Sequence, residues 1–291
     1  MSSSAEGIGR VGVIGCGLMG SGIAALCAVA GREVAVAVPS EARCGVAEDR
    51  IARALETGVR KGTFDADRAE AARSRIRLAP GLDHLRASDL VIESIPELEG
   101  EKVRVLAALK DVLAGRDAIV ATNTSSIPVA RMAGAAGLPG RLLGVHFFSP
   151  VVQNPLVELI PPEGTDDAVV HRTAEFLTAA LDKKVVRAPD RPGFLVNSLL
   201  IPYLLDAMRA VQGGLATPEA VDRAMELGCG HPVGPLRLSD MIGLDTLANV
   251  SASLAAESDD PRFATPEILM ELLALGCTGK KGGAGFYDYR A

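Results

Sequence analysis

The chain has no tryptophan, and its seven Phe and three Tyr make aromatics only 3% of 291 residues. The 48% hydrophobic fraction is therefore mostly Ala, Val, Leu and Ile, and any sizeable core must be aliphatic. Positive charge is not in excess: 30 Lys and Arg face 36 Asp and Glu, for a net charge of −6. Without a basic stripe, neither nucleic acid nor an anionic membrane surface is an expected partner. Cysteine is sparse and unpatterned. The five residues at 16, 27, 44, 229 and 277 are odd in number and show no C-x-x-C spacing. They predict free thiols rather than a disulfide framework or a zinc site, and no metal is expected. No apolar run reaches membrane-spanning length without a glycine or a charge. Residues 1–10 lack the charged-then-apolar layout of a secretion signal. The expectation is a cytoplasmic protein.

What is present begins with glycine. Val11-Gly12-Val13-Ile14 is a short apolar run, and Gly15, Gly17 and Gly20 then form G-x-G-x-x-G before an Ala-rich helical stretch. In that context the first glycine allows a tight turn, the second lets backbone approach a pyrophosphate, and the third lets helix and strand pack closely. Leu18 and Met19 fall at the helix N-terminus, whose unpaired N–H groups and positive dipole end suit an anion. Downstream, apolar strand patterns alternate with helical ones. Strands are expected at Arg10–Ile14, Val34–Val38, Ile76–Ala79, Asp89–Glu93, Ala118–Thr122, Arg141–Phe148 and Leu156–Ile160, with Lys184–Arg187 extended. Helices are expected at Leu18–Ala30, Gly100–Leu113 and Asp166–Leu181, with two more between Ser40 and Ala72 broken near Gly62-Thr63. This alternation predicts an α/β fold, a doubly wound, mostly parallel sheet of Rossmann type. From Gly193 to about Leu275 only helix patterns remain, including Glu219–Leu227 and Leu244–Ala256. The proline-rich stretch Ala188–Pro192 therefore divides a dinucleotide-binding domain, 1–188, from a smaller all-helical domain, 189–291.

Four segments place polar residues where a pure core would not want them. Thr122-Asn123-Thr124-Ser125-Ser126 follows a strand at its carboxyl end, where open α/β sheets bind ligands; Ser125 or Ser126 would equally serve as an N-cap for the helix near Ile127-Pro128. His146 ends an apolar strand, and Glu158 interrupts another, Leu156-Val157-Glu158-Leu159-Ile160. A buried carboxylate is costly unless paired. Pairing with His146 would fix the imidazole tautomer and give a general base poised near neutral pH; the bland alternative for Glu158 is an ion pair with Arg141. Asn197 lies in the first turns of an otherwise apolar helix after Pro192-Gly193-Phe194, either as a hydrogen-bond donor or as an interdomain polar contact.

These residues resemble the short-chain L-3-hydroxyacyl-CoA dehydrogenases. The likeness runs from about Gly9 to Tyr289 and includes Gly15–Gly20, Asn123-Thr124-Ser125-Ser126, His146-Phe147-Phe148, Glu158, Pro192-Gly193-Phe194 with Asn197, Gly234-Pro235-Leu236, Asp240 and Gly285-Phe286-Tyr287. The resemblance implies an NAD-dependent oxidoreductase interconverting 3-hydroxyacyl and 3-oxoacyl thioesters. His146 would be its general acid/base, Glu158 the support of that histidine, and Ser125 and Asn197 the donors to the reacting oxygen or the thioester carbonyl. It implies that Gly15, Gly17, Leu18, Met19, Gly20, Asn123, Glu97 and Lys102 bind the cofactor. It also implies that the helical domain forms a homodimer. Read without the resemblance, Glu97 and Lys102 are a solvated helix start.

Two departures stand out. Dinucleotide folds usually end the second strand with an acid for the adenosine ribose, whereas Val38 occupies that place here, followed by Ser40 and Arg43. NAD is the expected cofactor, with NADP left open. The family's His-Phe-Phe-Asn-Pro reads His146-Phe147-Phe148-Ser149-Pro150 in this chain. Ser149 leaves room for a different substituent at a substrate-binding position, so the acyl group could be polar, branched or carried on an acyl carrier protein rather than CoA. Two other readings compete. A hydroxyisobutyrate-type dehydrogenase would need a catalytic lysine that Gly193–Ala210 lacks. A dinucleotide-binding sensor without chemistry would not need the His/Glu pair.

Overall fold

A computed structural model describes residues 7–290. The backbone contacts divide the chain into two units, one ending at Arg191 and the other beginning at Pro192.

The first unit is built on an eight-stranded sheet. Its strands are β1 (Arg10–Ile14), β2 (Glu33–Val38), β3 (Ile76–Pro80), β4 (Leu90–Glu93), β5 (Ile119–Thr122), β6 (Leu142–Phe147), β7 (Leu156–Ile160) and β8 (Lys184–Arg187). They are ordered β3-β2-β1-β4-β5-β6-β7-β8. Every neighbouring pair is parallel except β6 and β7, which are antiparallel. β4, β5 and β6 are buried at every residue, which is why they read as continuous apolar runs: helices cover both faces of a parallel sheet. The helices are α1 (Leu18–Val29), α2 (Cys44–Arg60), α3 (Ala66–Arg73), α4 (Glu99–Val112), α5 (Val129–Ala136) and α6 (Asp167–Glu175). α6 passes into a π-helical turn at Phe176–Ala180, which the sequence pattern reads as unbroken helix. The doubly wound, mostly parallel sheet matches the expectation from the strand–helix alternation.

The order reverses between β1 and β4. Strands two and three lie on one side of β1, and strands four to eight on the other. In open α/β sheets the carboxyl ends of the strands at this reversal border the ligand crevice. The glycines that open α1 are forced by contact. Gly15 has φ of +88°, and a Cβ on Gly20 would fall 2.0 Å from the Gly15 carbonyl oxygen. Gly22 is also tight, with a Cβ there meeting Val151 at 2.8 Å.

The second unit comprises α7 (Val196–Gln212), α8 (Pro218–Cys229), α9 (Pro235–Ile242), α10 (Leu244–Glu257) and α11 (Glu267–Ala274). Its core joins Ile201, Leu204, Leu205, Met208, Leu236, Leu244, Leu247, Leu254, Phe263 and Leu269. Two buried carboxylates fasten its backbone. Asp222 accepts from the N–H groups of Leu236 and Arg237 at 2.8 and 2.9 Å, and from the Tyr287 hydroxyl at 2.6 Å. Asp240 accepts from the N–H groups of Phe286 and Tyr287, both at 3.0 Å. Gly234 and Gly285 are needed beside them, since a Cβ would fall 2.3 Å from Asp222 and 1.9 Å from Asp240. Among the described residues no helix is long and apolar enough to cross a membrane.

Candidate active site

The fingerprint turn joins β1 to α1. The Gly15 N–H donates to the Ala37 carbonyl at 2.9 Å, which fixes the turn against the end of β2. α1 starts at Leu18 with Gly17 as its N-cap and no side-chain cap, so its first N–H groups are not spent on a local side chain. A Cβ at Gly17 would meet nothing within 4 Å, which leaves open space where the backbone approaches a ligand. An uncapped helix start beside open space and two enforced glycines fits a dinucleotide pyrophosphate. Leu18 is exposed at this helix start, and Met19 packs on the core. Cys16, inside the turn, is pushed up to about 11 by burial, partly opposed by Arg50, and is no ready nucleophile.

His146 and Glu158 face one another across the antiparallel pair β6 and β7, in direct register. His146 Nδ1 lies 2.7 Å from Glu158 Oε2, with Glu158 fully buried and His146 nearly so. An ionised carboxylate can only accept, so this contact suits a tautomer with the proton on Nδ1. The Phe148 ring packs on the imidazole at 4.5 Å between centroids. Arg141 is not the partner of Glu158: its guanidinium donates to the carbonyls of Arg116 and Ala118 at 2.9 and 3.0 Å.

A second polar cluster lies along the ends of β4 and β5. Glu93, the last residue of β4, is fully buried. It accepts from Lys102 Nζ at 2.8 and 3.0 Å, from the Thr122 hydroxyl at 2.6 Å and from the Ile95 N–H at 2.6 Å. Lys102, equally buried, also donates to the Ile95 carbonyl at 3.2 Å and meets Glu97 at 3.3 Å. Glu97 Oε1 accepts from the Thr124 hydroxyl at 2.6 Å and from the N–H groups of Ser125 and Ser126 at 2.8 and 3.1 Å. Its Oε1 is also 3.3 Å from the Ser125 hydroxyl. Burial alone would raise the Glu97 carboxyl, but the Lys102 ammonium and these hydrogen bonds outweigh it and hold the group below its ordinary value. Glu97 is thus the outward member of the cluster, and Lys102 is its buried counter-charge rather than part of a solvated helix start.

Asn123 links this cluster to the histidine strand. Its N–H donates to the Glu93 carbonyl at 2.8 Å, and its Oδ1 accepts from the N–H of Phe147, the neighbour of His146, at 2.9 Å. Ser149 is exposed, two residues beyond the end of β6. The segment after it is held by Lys183, whose buried ammonium donates to the carbonyls of Val151 and Asn154 at 2.7 and 2.6 Å. Burial pulls this ammonium below the usual lysine value, against the neighbouring charge of Asp182. Asn197 belongs to the second unit, in the first turn of α7. It follows a strained turn in which Phe194, buried, has φ of +48° and Gly193 has φ of +75°.

The serine N-cap expected for α5 is replaced. Asp190, 61 residues away from Val129, accepts from the N–H groups of Val129 and Ala130, both at 2.7 Å. The Thr124 hydroxyl accepts from the Ile127 N–H at 3.1 Å. Sequence reasoning passed over Glu93, Lys183 and Asp190. Glu93 carries the same signal that exposes Glu158, a carboxylate inside an apolar strand. Asp190 carries no such signal, because its partners are backbone groups brought to it only by folding.

Residues 10–191 match the family of the 3-hydroxyacyl-CoA dehydrogenase NAD-binding domain, and residues 193–289 match its C-terminal domain. A 3-hydroxybutyryl-CoA dehydrogenase of Mycobacterium tuberculosis is 45% identical over 284 residues, covering 98% of this chain and 99% of that one. The crystal structure of M. tuberculosis FadB2 superposes with a TM-score of 0.93 at 45% identity, over 98% of this chain and 100% of that chain. That of (S)-3-hydroxybutyryl-CoA dehydrogenase PaaH1 from Ralstonia eutropha gives 0.87 at 38% identity, over 97% and 99%.

Proposed function

The chain belongs to the 3-hydroxyacyl-CoA dehydrogenase family, and from that we propose that it interconverts a 3-hydroxyacyl thioester and a 3-oxoacyl thioester, with His146 as general acid/base. The observation that carries the assignment is the 2.7 Å pairing of His146 with the buried Glu158. The glycine turn at Gly15, Gly17 and Gly20 would hold NAD, which would supply hydride acceptance or donation. His146 Nε2 takes the proton of the 3-hydroxyl during oxidation and gives it back in reduction. Glu158 orients His146 through Nδ1 and stabilises the imidazolium that forms. The Ser125 hydroxyl and the Asn197 amide donate to the reacting oxygen or to the thioester carbonyl, stabilising charge as it develops. Glu97, held by Lys102, takes a nicotinamide-ribose hydroxyl, while Asn123 fixes the backbone beside His146. The helical unit supplies the dimer contact of a cytoplasmic homodimer.

Ser149 favours a second reading of the substrate. It is short, polar and exposed beside the histidine strand, and suits a polar or branched acyl group or one borne on a carrier protein. The test is loss of reduced-nicotinamide absorbance with acetoacetyl-CoA. Fast loss supports the 3-hydroxybutyryl-CoA reading. Loss only with carrier-bound or polar 3-oxoacyl groups supports the second. Cofactor binding without turnover of any thioester overturns both in favour of a sensor.

A further inference from the structure

Dinucleotide folds separate NAD from NADP at the carboxyl end of the second strand. An acidic side chain there takes the adenosine-ribose hydroxyls and repels a 2′-phosphate, so much of the selectivity is repulsion. In this chain that strand end is firmly located. β2 ends at Val38, one residue beyond Ala37, whose carbonyl accepts the fingerprint N–H of Gly15 at 2.9 Å. Ala37 also stands opposite Ile14 in the β1–β2 register. The Val38 side chain is buried and belongs to the same apolar cluster as Ile51 and Leu55 of α2. An aliphatic group therefore occupies the place of the selecting carboxylate.

The residues that follow are basic and polar as well as acidic. Ser40 is exposed in extended backbone and precedes the single turn Glu41–Arg43. Arg43 is exposed and has no carboxylate partner among the described residues. Arg50 of α2 reaches the fingerprint itself: its Nη1 donates to the Cys16 carbonyl at 3.0 Å. This places a guanidinium on the loop that receives the cofactor. Glu41 and Glu48 share the segment, but both are exposed and face solvent screening. Neither occupies the strand end, where a carboxylate would meet the 2′ position directly.

We propose that the chain binds NADP(H) as well as NAD(H), with Arg43 and Ser40 receiving the 2′-phosphate and Arg50 adding positive potential at the fingerprint. The proposal rests on the dinucleotide reading of the fingerprint but not on the thioester chemistry. Without the carboxylate, NAD(H) loses one hydroxyl contact, whereas NADP(H) loses a like-charge clash and gains a guanidinium.

The test is equilibrium binding of NADH and NADPH to the full chain, followed by nicotinamide fluorescence, with no acyl substrate present. The two dissociation constants are expected to lie within about tenfold of one another. Arg43→Ala should raise the NADPH/NADH ratio of dissociation constants by about tenfold, the loss of one charge-assisted contact. Val38→Asp should raise the same ratio further, by restoring the repulsion. NADPH binding roughly a hundredfold weaker than NADH would overturn the proposal, as would an Arg43→Ala variant that weakens both equally. Because Val38 is buried, Val38→Asp could lose its fold; Arg43 is exposed, and its variant decides the matter alone. Binding of neither dinucleotide would overturn the cofactor reading itself, whereas tight NADH binding with NADPH rejected overturns only this inference.

Discussion

Two sets of buried carboxylates, one in each unit, meet the same physical demand in different ways. Asp222 and Asp240 in the helical unit spend their oxygens on backbone N–H groups and a tyrosine hydroxyl. They satisfy main-chain donors that would otherwise be buried unpaired. Glu158 in the sheet unit spends its oxygen on an imidazole. Glu93 spends its two oxygens on an ammonium, a hydroxyl and one N–H. The lesson lies in the partner. A buried acid bonded mainly to backbone fixes architecture, because N–H groups of the main chain do not titrate. A buried acid bonded to a histidine sets the protonation of a group that can exchange a proton with a ligand. Glu93–Lys102 stands between the two: a neutralised ion pair whose outward end is Glu97.

Each side of the comparison can be broken by substitution. The largest effect is expected for His146→Gln, which should lower kcat by about 10³-fold while sparing NADH affinity; retained turnover would remove His146 from the chemistry. Lys102→Met leaves Glu93 buried without its counter-charge and should cost about 4 kcal/mol of stability in denaturant unfolding. A much smaller loss would mean that water or Thr122 satisfies Glu93. Glu158→Gln keeps the shape but not the charge, and should lower kcat by about 10²-fold and move the pH profile of kcat/KM. An unmoved profile would place Glu158 with the architectural acids.

Asp222→Asn is the matching change on the other side. It sets an amide against two backbone donors and should cost about 2 kcal/mol, read as a lower midpoint of unfolding, with no shift in any pH profile of turnover. A shifted profile would erase the distinction between the two sets. The smallest effect belongs to Glu97. Its carboxyl is held below its ordinary value, so its contribution to stability is complete above the unfolded-state value and is lost as the pH falls through the lower folded-state value. Glu97→Gln should therefore flatten the acid limb of the stability curve, lowering stability near neutrality and converging on the parent chain at low pH. An acid limb identical to that of the parent chain would show that the carboxylate is not selectively stabilised by folding.

Much of the fold is legible from residue pattern. β1 is read from Arg10 to Ile14 and β7 from Leu156 to Ile160, at the bounds the structure has, because apolar runs between turn residues leave few alternatives. The break of α6 into a π-turn at Phe176 is not legible, since a wider helical turn leaves the apolar spacing almost unchanged. α9 is not legible either, because eight residues between Gly234 and Gly243 give too short a period to read. In the candidate site, Glu158 announces itself by its apolar neighbours. Lys102 reads as a surface lysine until folding brings Glu93 under it. Lys183 and Asp190 give no local sign, because each serves carbonyl or N–H groups far away in the chain.

The sequence alone determined the strand and helix succession, the fingerprint turn and the carboxylate set in the apolar run of β7, because periodicity and glycine placement are local properties of the chain. Only tertiary structure decided which charges face one another: the antiparallel register of β7 against β6 sets Glu158 opposite His146, and the parallel pairing of β4 with β5 sets Glu93 beside Thr122. Hydrogen bonds act over about 3 Å, and residues 12 to 61 positions apart come within that reach only when the sheet closes.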